Sequence, residues 1–136
     1  RRPPRSTLFP YTTLFRSFLE KHIKVFLISS NDPVKYPDDS PEKMAIEAIN
    51  LGFEFPYLFD ADQEVAKSYQ AACTPDFFLF NENQELFYRG QYDASRPGNN
   101  IIVTGEDISN ATNRMLNGDN SPANQIPSMG CNIKWK

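Results

Sequence analysis

The stretch AACTPDFFLF (Ala71–Phe80) sets a cysteine and a Thr-Pro pair directly ahead of an apolar strand. Proline locks its own φ and has no main-chain donor, so Pro75 belongs in a turn or at the head of a strand, not inside a sheet. Asp76–Phe80 then reads as a strand, NENQ as a polar turn and ELFYRG as the returning strand of a hairpin. Upstream, IKVFLISS (Ile23–Ser30) is a short continuous apolar run of the kind that forms a buried parallel strand. Ser40 is placed to cap a helix with Pro41 at its first position, Met44, Ala45, Ala48, Ile49 and Leu51 on its inner face, and Gly52 as its stop. FPYLFD is a short strand, and Asp62 caps a second helix through Tyr69 with Val65, Ala66 and Tyr69 facing inward. Thr104 and Asp107 make a capping box for a third helix, which carries Ile108, Ala111, Met115 and Leu116 and stops near Gly118. The order strand, helix, strand, helix, strand, strand, helix indicates an α/β sandwich with a mixed sheet.

The N-terminus departs from this pattern. Four of the 14 basic residues and none of the 17 acidic ones fall within RRPPRSTLFPYTTLFRS, which leaves 10 basic against 17 acidic side chains for residues 18–136. An acidic body excludes nucleic-acid binding by phosphate neutralisation. The seventeen-residue stretch resembles a widely used short-read sequencing adapter translated in frame. It is therefore set aside from the fold rather than read as a targeting segment or a strand. The expected partition is a non-native segment at 1–17, a partial domain at 18–118 and a C-terminal tail at 119–136 that packs on the domain. No apolar run reaches the roughly 20 residues that span a bilayer, so no membrane partner is expected. With a single histidine and two cysteines 58 positions apart, neither a His-based metal cluster nor a disulfide framework is implied.

The runs ISSNDPVKYPDDSPEKM, FPYLFDADQEVAKSYQAACTPDFFLF, YRGQYDASRPGN and PSMGCNIKWK resemble the thioredoxin-like, peroxiredoxin-related family of the redoxin (alkyl hydroperoxide reductase–thiol-specific antioxidant) group. The resemblance covers Phe18–Lys136. It implies a three-layer thioredoxin-like sandwich, truncated at its N-terminus and lacking the central strand and the nucleophile helix. It also implies a peroxide or disulfide substrate, a thiol reductant and no cofactor. In that family the nucleophilic cysteine starts a helix after the central strand, where the helix terminus lowers the thiol pKa. No segment of this chain matches it, so the resemblance implies a fragment that is inactive by itself. The absent strand would bury about five apolar side chains at about 1.5–3 kcal/mol each, comparable with the about 5–15 kcal/mol that holds a domain together. A marginally stable chain is the expectation.

Within that frame Thr74 and Pro75 are the candidate substrate-binding residues. The resemblance implies a cis Thr74–Pro75 bond, against about 5–6 % of X-Pro bonds in general, and a Thr74 backbone that pairs with an extended substrate. Cys73 is a candidate second redox thiol, although a small buried hydrophobe is the simpler reading. Cys131 is either a resolving thiol in a surface-lying tail or part of a tail pinned by Ile133 and Trp135. A Cys73–Cys131 bridge is left open. Asp93 and Arg96 form either an ion pair or, more simply, a solvated loop. His22 reads as exposed. DADQE (Asp60–Glu64) lacks the glycine and distal glutamate of a calcium loop, and the sequon at Asn110–Thr112 falls inside a helix. The rival function is a non-catalytic thioredoxin-fold module that holds an extended peptide in the same groove.

Overall fold

The computed structural model describes residues 9–136. Its elements are α1 (Phe9–Glu20), β1 (Leu27–Ser29), a 3-10 turn (Pro37–Asp39), α2 (Pro41–Leu51), β2 (Tyr57–Phe59), α3 (Glu64–Ser68), β3 (Cys73–Thr74), β4 (Phe77–Phe80), β5 (Leu86–Gly90), α4 (Glu106–Leu116) and β6 (Cys131–Asn132). This is a small mixed α/β protein with short sheets. The chain divides into two units: one runs to Ala72 and takes in Asn132–Lys136, and the other is Cys73–Cys131.

The first unit is built on a parallel β1–β2 pair in the register Leu27↔Tyr57, Ile28↔Leu58 and Ser29↔Phe59. The crossover between them is α2, as a parallel pair requires. The α2 boundaries follow from local chemistry. The Ser40 hydroxyl accepts the Lys43 amide at 3.3 Å, Pro41 opens the helix, and Gly52 closes it at φ 63°. Its expected inner face is corrected: only Met44 is buried, while Ala45 and Ile49 lie exposed. Strand β1 is also shorter than the apolar run. Among the described residues Ile23–Phe26 pair with no strand, and Ile28 and Leu58, opposite each other on one face, stay 41 % and 45 % exposed instead of buried.

Residues 9–17, set aside in the sequence reading, form most of α1; Arg1–Leu8 lie outside the described residues. Thr12, Phe15 and Phe18 recur every three residues and are all buried. Phe15 meets Phe55 edge-on with ring centroids 5.8 Å apart, and Phe55 stacks on Phe53 at 5.0 Å. Aromatic burial of this kind overrides the strand preference of Thr, Phe and Tyr. The Arg16 guanidinium donates to the Gly52 carbonyl at the end of α2.

Helix α3 is shorter than expected, and its capping is shared. Asp62 accepts the Glu64 amide at 3.1 Å, while the buried Asp60 accepts those of Val65 and Ala66 and the Ser30 hydroxyl. Of the three residues expected to face inward, Ala66 is buried and Val65 and Tyr69 are exposed.

The second unit is the expected hairpin closed by a helix. Strands β4 and β5 are antiparallel, Phe77↔Gly90 through Phe80↔Leu86, with an irregularity at Leu79/Phe80. The Asn81 side chain shapes the turn by accepting the Asn83 and Glu85 amides. Helix α4 packs on β5 through Ile108, Ala111 and Thr112, whose hydroxyl donates to the Ile108 carbonyl at 2.7 Å. The capping box is corrected: Thr104 accepts the Glu106 amide, whereas Asp107 turns its side chain to Gln91. Leu116, expected inside, is 49 % exposed.

If α1 is part of the core, Phe15→Ala costs about 3 kcal/mol or more, as truncation of a buried aromatic does. The urea midpoint of the variant falls accordingly. An appendage at residues 9–17 would leave that midpoint unchanged.

Candidate functional site

Strand β3 delivers Cys73 and Thr74 to a cis Thr74–Pro75 bond at the head of β4. Cys73 turns inward, 8 % exposed, and its thiol donates to the Pro75 carbonyl at 3.5 Å. Burial pushes this thiol up; Asp76 and Cys131 add to the rise, and Arg89 and Arg96 oppose it. A thiol held protonated is a poor nucleophile, so the buried-hydrophobe reading of Cys73 matches its environment. Asp76, whose side chain is 6 % exposed, pairs with the Arg89 guanidinium at 3.4 Å. That guanidinium also lies 5.0 Å from the centre of the Phe78 ring.

Thr74 and Pro75 are exposed, but the chain's own tail engages Thr74. The Thr74 hydroxyl donates to the Cys131 carbonyl at 3.2 Å, and β3 and β6 form a two-stranded ladder. A Cβ on Gly130 would fall on the Thr74 carbonyl oxygen and within 3.0 Å of its carbon. Only glycine permits so close a main-chain approach. This constraint explains the glycine at position 130. Cys131 is exposed, and both thiols are free, so no bridge joins them.

Behind this contact the tail lies along β5. The Gln125 side chain accepts the Arg89 amide at 2.8 Å and donates to the Pro122 carbonyl at 3.1 Å. The Gln91 amide donates to the Ile126 carbonyl at 2.7 Å, and the Ser128 hydroxyl donates to the Gly90 carbonyl at 2.8 Å. Gly90 leaves space for this run, since a Cβ there would lie 2.6 Å from the Tyr88 hydroxyl and 2.8 Å from the Ile126 carbonyl. That hydroxyl donates to the Gln91 carbonyl at 2.6 Å, and burial followed by the Asp107 charge pushes its pKa to about 12.

In the first unit the last residues are held by an amide cluster absent from the sequence reading. Gln63, buried and at φ 64°, donates to the Ser30 and Lys134 carbonyls at 2.8 and 3.0 Å and accepts the Lys136 amide at 3.1 Å. Asn31 accepts the Lys134 amide at 2.9 Å, and the Asp32 amide donates to the Lys134 carbonyl at 2.8 Å. Ile133 is buried, as a pinned tail requires, but Trp135 is 43 % exposed. Gln63 lies within DADQE, and its role there is structural. Among the described residues no three metal-ligating side chains converge, and no helix is long and apolar enough to cross a membrane.

Residues 97–104 form the expected solvated loop, but Asp93 at its base is buried. Asp93 is 4 % exposed, and its carboxylate accepts the Ser95 amide and hydroxyl and, at 2.7 Å each, the Thr104 and Gly105 amides. The Arg96 guanidinium donates to the Asp93 and Ser95 carbonyls and to the Gln91 side chain. The carboxylate thus folds the loop 94–105 back onto the start of α4. His22 is exposed at φ 61°, beyond the end of α1.

No protein-family model and no curated protein matches the chain. Among solved structures it is similar to a hypothetical protein of Sinorhizobium meliloti 1021, at 42 % identity and a TM-score of 0.93 over 99 % of this chain and 75 % of that one. It is also similar to an uncharacterized conserved protein of Geobacillus kaustophilus, at 48 % identity and a TM-score of 0.91 over 95 % of this chain and 69 % of that one. The chain belongs to the family of these two proteins. The first match takes in nearly every residue, so α1 has a counterpart there.

Two outcomes test the site. A thiol-specific disulfide reagent modifies Cys131 of the native chain rapidly and Cys73 only on unfolding; equal rates would contradict the burial of Cys73. Acid stability tests the carboxylates. Burial raises the pKa of Asp60 and Asp93, but hydrogen bonds from Ser30 and the Ala66 and Val65 amides, and from Ser95 and the Gly105 and Thr104 amides, outweigh it and leave both lowered. Their contribution is complete above the unfolded Asp value of about 3.9 and is lost as pH falls through the lower folded values. Circular dichroism of Asp93→Asn shows a lower starting stability and a shallower acid limb than the wild type.

Proposed function

We propose that the chain is part of a thiol-dependent oxidoreductase with a thioredoxin-like arrangement, in the peroxiredoxin-related redoxin group. The observation that carries this reading is the element order around the Thr-Pro turn. A parallel β1–β2 pair joined through α2 leads to the Cys73–Thr74–Pro75 turn, and an antiparallel hairpin closed by α4 follows. On this reading the turn is one wall of a redox site, and Thr74 and Pro75 line it.

The two cysteines take different parts. Cys73 is too buried, and its thiol too firmly protonated, to attack a peroxide. On this reading the primary nucleophile is carried by an upstream βα unit of the longer protein. Its thiolate attacks one oxygen of a hydroperoxide, the O–O bond breaks, and an alcohol and a sulfenic acid form. The exposed Cys131 is the candidate resolving thiol: its sulfur attacks the sulfenic sulfur, water leaves, and a disulfide forms that an external thiol reduces by exchange.

The test is the protein with its upstream genomic sequence, assayed for thiol-dependent hydroperoxide consumption. Turnover is expected, together with its loss when the upstream cysteine becomes serine. Cys131→Ser is expected to leave a sulfenic acid trappable by dimedone. An upstream sequence without a cysteine-bearing βα unit would contradict the proposal.

A further inference from the structure

A short strand beside a proline turn offers main-chain groups to any extended polypeptide, and strand addition is a common way of binding one. Here that position is filled from within. The Thr74 hydroxyl is spent on the Cys131 carbonyl, and the main chain of Gly130 lies against the Thr74 carbonyl where no side chain fits. The run leading to this contact is fastened to β5 by a main-chain bond between Gln91 and Ile126 and by the side chains of Gln125 and Ser128. Beyond it, Lys134 and Lys136 are anchored by Gln63 and Asn31. The run fastened to β5 does not leave its place for an incoming strand without breaking several part-buried hydrogen bonds together.

We propose that the tail segment ending in β6 is a built-in occupant of the Thr74 edge, with Gly130 as the specificity-determining residue, so that the site admits small hydroperoxides and excludes extended peptides and protein disulfides. The choice of hydroperoxide rests on the oxidoreductase reading above; the exclusion of peptides does not. It stands against the peptide-binding module as the rival function, because that module needs the same edge free.

The amides of Arg89 and Gln91 report on the segment, since their acceptors are Gln125 and Ile126. In the intact 136-residue chain both exchange with deuterium slowly. A fluorescein-labelled decapeptide of alternating threonine and valine, raised to about 1 mM, the range of weak association, gives no saturable anisotropy change and leaves the exchange unaltered. Ser128→Ala speeds exchange at Gln91 by about 2- to 10-fold, the worth of one hydrogen bond. Gly130→Ala dislodges the segment and creates binding of the decapeptide. Should Gly130→Ala fail to fold, the wild type and Ser128→Ala still decide. Saturable binding by the wild type, or Arg89 and Gln91 amides that exchange like exposed loop amides, overturns the proposal. Failure of the upstream-extended protein to consume hydroperoxide would remove the oxidoreductase reading and leave these exchange results standing.

Discussion

The close approach of the Gly130 main chain to the Thr74 carbonyl is the constraint from which the rest of the site follows. Two irregular segments, a proline turn and a tail without periodicity, become well-defined because one lies on the other. Their polar groups are shared: Thr74 with Cys131, Gly90 with Ser128, Gln91 with Ile126. Buried main-chain groups must find partners, and here the tail supplies partners that the short strands cannot. The same economy recurs in the first unit, where Gln63 serves two carbonyls and one amide. Among the described residues the three sheets have two strands each, and side chains complete what the ladders leave open.

This dependence on side-chain amides and carboxylates sets the electrostatic character of the protein. Asp60 and Asp93 are buried, and both are satisfied by amides at the start of a helix or by a neighbouring hydroxyl, not by a cation. Such bonds favour the charged carboxylate and fix loop geometry at the same time. Cys73 sits in the opposite kind of environment, where burial and a neighbouring carboxylate favour the neutral thiol. The turn it precedes thus begins at a thiol held in its neutral form.

What was legible in the sequence is what short-range chemistry decides. Ser40, Pro41 and Gly52 mark α2 because each acts on residues within one turn, and the hairpin at 76–90 follows from two apolar runs and a polar turn. The inner faces were less legible. Ile49 has helical spacing but no neighbour to bury it, and Ile28 and Leu58 lie on a sheet face left open among the described residues. Helix α1 was missed because residues 1–17 were set aside as a translated adapter, yet Thr12, Phe15 and Phe18 are buried and Phe15 meets Phe55. Gln63, Gly130 and Asp93 were missed as structural residues for a common reason. Each acts on groups distant in sequence or across a loop, and no periodicity records such a pairing.

The central claim is that hydrogen bonds from the largely exposed C-terminal tail complete the main-chain pairing within each unit. The most direct measurement is urea denaturation of the chain ending at Gly118 beside the intact chain, followed by far-ultraviolet circular dichroism. Loss of the cooperative transition in the shortened chain is the result the account predicts. A transition with unchanged midpoint and slope would show that residues 119–136 merely rest on a structure complete without them, and would contradict it.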